Sequence, residues 1–102
     1  MDDELGDAAT IFRLEARRRA QRIEALTQRG IPPRDSPERA ELWRHAHSLK
    51  GTAGSLGHEE IERLAALLAE PLAPGAPRKD DASDLVPVIA QLEAGLALLD
   101  QP

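Results

Sequence analysis

His45-Ala46-His47-Ser48-Leu49-Lys50-Gly51-Thr52-Ala53-Gly54-Ser55-Leu56-Gly57 is the stretch that decides how this chain folds. Laid out at about 100° per residue, Leu42, Ala46, Leu49, Ala53 and Leu56 fall in a sector about 80° wide, the apolar stripe of a helix packed on one side. His47 lies about 130° from the centre of that stripe, on the solvent side. Trp43 and Lys50 flank it at i−4 and i+3, at the edge of the core face. Arg44 and Gly51 point outward with it, and Gly54 follows two turns along. Glycine costs about 1 kcal/mol against alanine inside a helix. Two of them beside a histidine and a lysine point to something that comes close to this backbone.

Outward from this stretch, the punctuation is clear. Asp35-Ser36-Pro37-Glu38 is a helix start: Asp35 or Ser36 can cap, Pro37 suits the first turn, and Glu38 favours the positive end of the helix dipole. Gly57 is a left-handed stop, so the histidine helix is predicted over 36–56. Before it, residues 1–6 read as an acidic lead-in. Residues 7–29 then run without Gly or Pro, with Ile11, Phe12, Ala16, Ala20, Ile23 and Leu26 at helical spacing. Gly30 and Ile31-Pro32-Pro33 close that helix. Its outer face carries Arg13, Arg17, Arg18, Arg19 and Arg22 and reads as a solvated surface. A third helix, 58–70, has Ile61, Leu64, Ala65 and Leu68 inward and is ended by Pro71. Pro71 to Asp81 is a loop rich in proline and charge. A fourth helix, 83–100, has Leu85, Ile89, Leu92, Leu96 and Leu99 as its stripe and needs Pro87 in its first turn. Four amphipathic helices with mostly short connections predict one domain over 1–102, an all-α, antiparallel up-and-down four-helix bundle.

Composition narrows the function classes. The net charge of −5 argues against nucleic acid as the main ligand. The absence of cysteine excludes a disulfide framework and a thiolate metal site. No apolar run reaches the roughly 18 residues of a membrane span, and the acidic start is unlike a signal peptide, so a cytoplasmic location is expected.

The chemistry available is that of one imidazole. A neutral imidazole is a nucleophile near pH 7 and can take a phosphoryl group on a ring nitrogen. The charged product calls for a nearby cation, which Lys50 can supply. No nucleotide loop, metal cluster or general base accompanies it, so a partner has to bring the phosphate and the metal. His45 reads as a half-buried packing residue and His58 as a helix start. His45 and His47 diverge by about 160° and cannot share a metal.

The run His47-x-Leu49-Lys50-Gly51, followed after five residues by Gly57, resembles the signature of histidine-containing phosphotransfer (HPt) domains of two-component phosphorelays. The resemblance implies a four-helix bundle that is not itself an enzyme. It implies that His47 accepts a phosphoryl group from a receiver aspartate or a histidine kinase and passes it to a response-regulator receiver. Lys50 resembles the charge partner, Gly51 the close-approach glycine and Gly57 the turn glycine. Trp43, Arg44, Gly51 and Gly54 are the expected docking residues, with Trp43 equally readable as a cap on the core edge. No cofactor is expected on this chain, because Mg²⁺ belongs to the receiver, and a monomer is expected. Gly54 departs from the family pattern, which often has alanine or a small polar residue there. A free-standing carrier and the N-terminal domain of a chemotaxis-type kinase both fit. The alternative is a non-catalytic bundle for protein interaction or dimerisation, with His47 idle.

Overall fold

The computed structural model describes residues 3–76 and 82–99. Four α-helices follow one another: α1 over Asp3–Leu26, α2 over Pro37–Leu56, α3 over Glu59–Leu72 and α4 over Val86–Leu98, the last preceded by a 3-10 turn over Ser83–Leu85. Each helix packs against its neighbour in the chain, and α1 closes the ring against α4. The result is the all-α four-helix bundle that the apolar stripes predict, with no strand among the described residues. Residues 77–81 of the expected loop and Asp100, the predicted end of the last helix, lie outside the described residues.

The core is aliphatic. Ile23, Leu42, Leu49, Leu68 and Leu92 are its largest fully buried side chains, and Phe12 is its one aromatic member. Closely packed helices need small residues between large ones, and Ala16, Ala46, Ala53 and Ala65 supply them at zero exposure.

Several boundaries differ from the sequence reading, each for a local reason. α1 begins at Asp3, inside the supposed lead-in. It ends at Leu26 and not at Arg29. The Thr27 amide is shared between the carbonyls of Ile23 and Glu24, at 3.0 and 3.3 Å, which tightens the last turn, and Gly30 turns the chain at φ 101°. Pro71 does not end α3. It sits within the last turn, where a single missing amide is tolerated, and the helix continues to Leu72, which is buried. Ser36, and not Asp35, caps α2: its Oγ accepts from the Arg39 amide at 3.0 Å and donates to the Pro33 carbonyl at 2.7 Å.

The end of α2 matters most for the site. The Gly57 amide donates to the Gly54 carbonyl and the His58 amide to the Ala53 carbonyl, with Gly57 at φ 81°. This paired pattern is the Schellman stop, which needs a residue free to turn left-handed. It sends the chain straight into α3, so α2 and α3 lie side by side along their length.

Candidate functional site

The reactive candidate, His47, is exposed midway along α2. Burial of Leu42, Ala46, Leu49 and Ala53 against the other helices fixes the rotation of α2 and turns His47 away from the core. Among the described residues, neither ring nitrogen has a hydrogen-bond partner. What the ring does have is an aromatic neighbour. Trp43 stacks on it with centroids 4.9 Å apart and planes 20° apart. The i−4 spacing makes this possible, because helical side chains lean back towards the N-terminus.

His47 stands on a ridge between two grooves. The groove towards α3 is lined by Lys50, Gly51, Gly54, Ser55 and Glu62 together with His47. The groove towards α1 is apolar at its rim, with Ile11, Phe12 and Leu56 beside His47 and Gly51. Lys50 is exposed, and its ammonium has no ion-pair partner among the described residues. Arg44 is exposed on the same side of α2.

The two glycines are not equivalent. A Cβ added at Gly51 would meet open space. One added at Gly54 would stand 2.7 Å from Glu62 Oε2 and 3.0 Å from its Cδ. The helical wheel gives both a bare surface, but only Gly51 is bare. Gly54 makes room for a carboxylate from α3, which the wheel of α2 cannot reveal.

Other side chains also sit differently from their sequence reading. Leu56, placed in the core stripe, is 42% exposed, and Ile11, counted among the helical apolar positions, is 62% exposed. Leu56 is the final residue of α2, one position before the left-handed turn at Gly57. Arg39, which the sequence leaves unremarked, is only 7% exposed, and its guanidinium donates to the Pro32 carbonyl at 3.1 Å, tying the incoming loop to α2.

His45 is half-buried, but in a polar clamp and not merely as packing. Arg19 reaches its Nδ1 at 2.9 Å, and Glu41 Oε2 lies 2.9 Å from its Nε2. A guanidinium only donates, so Nδ1 accepts and the ring carries its proton on Nε2, which donates to Glu41. Arg22 grips the same carboxylate with two bonds of 2.8 Å. The Arg22 hydrogen bonds, followed by the one from His45, hold the Glu41 carboxyl at a pKa of about 2, well below the usual carboxylate range. Arg19 and Arg22 therefore dock α1 onto α2, so the arginine face of α1 is not wholly solvated. His58 precedes α3 as expected, yet its ring does not cap the helix; it stacks on Phe12 at 5.0 Å and ties α1 to the α2–α3 turn.

These fixtures hold still a surface that presents the His47 imidazole, the cations Lys50 and Arg44, and the bare backbone at Gly51. Such a surface can receive a charged group on a ring nitrogen. No cluster of three or more potential metal-ligating His, Cys, Asp or Glu side chains occurs among the described residues. No described helix is long and apolar enough to cross a membrane. A family model described as Hpt domain matches residues 7–102, nearly the whole chain. No curated protein and no solved structure matches.

Proposed function

The chain belongs to the Hpt domain family, and we propose that His47 is the residue on which it carries a phosphoryl group. Hpt domains carry out histidine phosphotransfer in the phosphorelays of two-component systems, where they interact with kinases and receiver domains. The observation that carries the assignment is the placement of His47. It is exposed, its ring nitrogens are unengaged among the described residues, Lys50 follows at i+3, and the Gly51 position opens onto space.

In the forward step, a ring-nitrogen lone pair attacks the phosphorus of a receiver aspartyl phosphate. The N–P bond forms as the acyl P–O bond breaks, and the aspartate leaves with the electron pair. The other ring nitrogen keeps its proton. Transfer to a second receiver aspartate is the reverse of this step. Lys50 offsets the charge of the phosphorylated ring. Gly51 and Arg44, with Gly54 further along, form the docking face, and Ile11 and Leu56 give it an apolar flank. The partner supplies Mg²⁺ and the groups that activate phosphorus, so this chain acts as a monomeric carrier in the cytoplasm and not as an enzyme.

The test is label transfer from receiver domains phosphorylated with acetyl phosphate. Wild-type protein takes up acid-labile, base-stable label. His47→Gln takes up none and melts at the wild-type temperature, and Lys50→Ala is labelled about tenfold more slowly, as befits loss of one charge-assisted contact. Undiminished labelling of His47→Gln would refute the site.

A further inference from the structure

We propose that Trp43 is the positioning residue for His47, holding the imidazole in the attitude from which it reacts. The inference rests on the reading of His47 as the phosphoryl acceptor. Reactive histidines are usually aimed by a hydrogen bond from one ring nitrogen to a carboxylate or carbonyl. His47 has no such bond among the described residues, yet its ring lies stacked on Trp43 at 4.9 Å and 20°. Trp43 is itself half-buried, packed against the core, and it also lines the groove that Arg39 and Leu72 share. One ring is therefore anchored, and the other is free to react.

Stacking suits this task chemically. The nucleophilic lone pair of imidazole lies in the plane of the ring. A hydrogen bond that aims the ring engages one ring nitrogen, whereas a stack covers a face and leaves both edges open. During transfer the ring nitrogen forms its bond to phosphorus as the aspartyl P–O bond breaks, and the aspartate takes the electron pair. The edge that does this must face the incoming receiver. A histidine on a helix has two accessible χ1 wells, and its χ2 is roughly two-fold, so an unheld ring samples about four attitudes. Losing the stack then leaves about a quarter of the molecules correctly aimed. With residual misalignment, the maximal rate of transfer falls about four- to tenfold.

The experiment compares wild type, Trp43→Leu and Trp43→Phe. Transfer is followed from a receiver domain phosphorylated with acetyl phosphate, chosen as the fastest donor to wild type. Rates are measured across receiver concentrations. The expected result for Trp43→Leu is the four- to tenfold fall in maximal rate, with the half-saturating receiver concentration within about twofold of wild type. Trp43→Phe, which keeps a ring face, stays within about twofold in both. A maximal rate for Trp43→Leu equal to wild type, or a loss confined to half-saturation, overturns the positioning role. A second measurement needs no core substitution. Trp43 is the sole tryptophan, so its emission changes when wild type is phosphorylated and then freed of receiver, and stays constant for His47→Gln treated alike. An unchanged wild-type spectrum overturns the stack. A wild type that no receiver labels overturns the phosphoacceptor reading and this inference together, a result distinct from either of the others.

Discussion

Replacing Gly51 by alanine should make this protein more stable and less able to work. A Cβ at Gly51 meets nothing within 4 Å, so the substitution brings no clash inside the molecule. The whole helix-propensity difference between glycine and alanine is then released, about 1 kcal/mol. For a chain of this size that raises Tm by about 4–8 °C. Gly54→Ala starts from the same propensity gain, but its Cβ would stand 2.7 Å from Glu62 Oε2, so the carboxylate has to swing aside. The end of a flexible side chain moves at modest cost, and the net gain falls between zero and about 1 kcal/mol. In a Glu62→Ala background the obstruction is gone, and Gly54→Ala regains the full increment, a coupling that a double-mutant cycle reads directly. Thermal and urea unfolding supply the stabilities, and the receiver assay supplies the rates. Gly51→Ala slows transfer, because the added methyl stands where the partner's backbone has to approach. A Gly51→Ala protein that is less stable than wild type would refute the open geometry. One that is more stable and transfers at the full rate would refute the reason given for the glycine.

Two further outcomes follow from the scaffold. Glu41→Gln removes the carboxylate shared by Arg22 and His45 and lowers stability at pH 7 by about 1 kcal/mol, the size of a well-formed pair near the surface. The folded pKa of about 2 lies below the ordinary value of 4.5, so the stabilisation is complete above about pH 4.5 and fades as pH falls towards 2; unfolding measured across that range shows the wild type converging on the variant. Leu49→Ala, at a fully buried position, costs about 2–5 kcal/mol, whereas Leu56→Ala, at 42% exposure, costs less than about 1 kcal/mol and is read instead as weaker receiver binding.

Much of this fold was legible in periodicity and punctuation. Leu42, Ala46, Leu49 and Ala53 announce which side of α2 is buried, and therefore that His47 is not. Ser36, Pro37 and Gly57 mark the ends of that helix by local backbone chemistry that needs no partner. What could not be read was contact between helices. Nothing in the period of α3 says that Glu62 will lie over Gly54, or that Arg19 and Arg22 will cross to His45 and Glu41. Leu56 shows the same limit from the other side: its place on the wheel is right, but as the last residue of α2 it is left 42% exposed. The Trp43–His47 stack was within reach, since an aromatic four residues before a histidine is a neighbour on any helix.

The stack has one more consequence. Trp43, His47, Lys50 and Gly51 all belong to α2, within little more than two turns. The loop between helices does not have to close for these four groups to meet. Their mutual geometry is therefore of very low contact order and is set as soon as α2 is helical. The distant contacts of the bundle decide whether α2 persists and which side it presents, because a lone helix of this length is marginal in water. Partial detachment of α1, the element pinned by the Arg22–Glu41 and Phe12–His58 contacts, would change the shape offered to a partner while leaving the imidazole and its neighbours in register. On the function proposed for His47, reactivity and recognition are lodged at different levels of the structure, the first local and the second global.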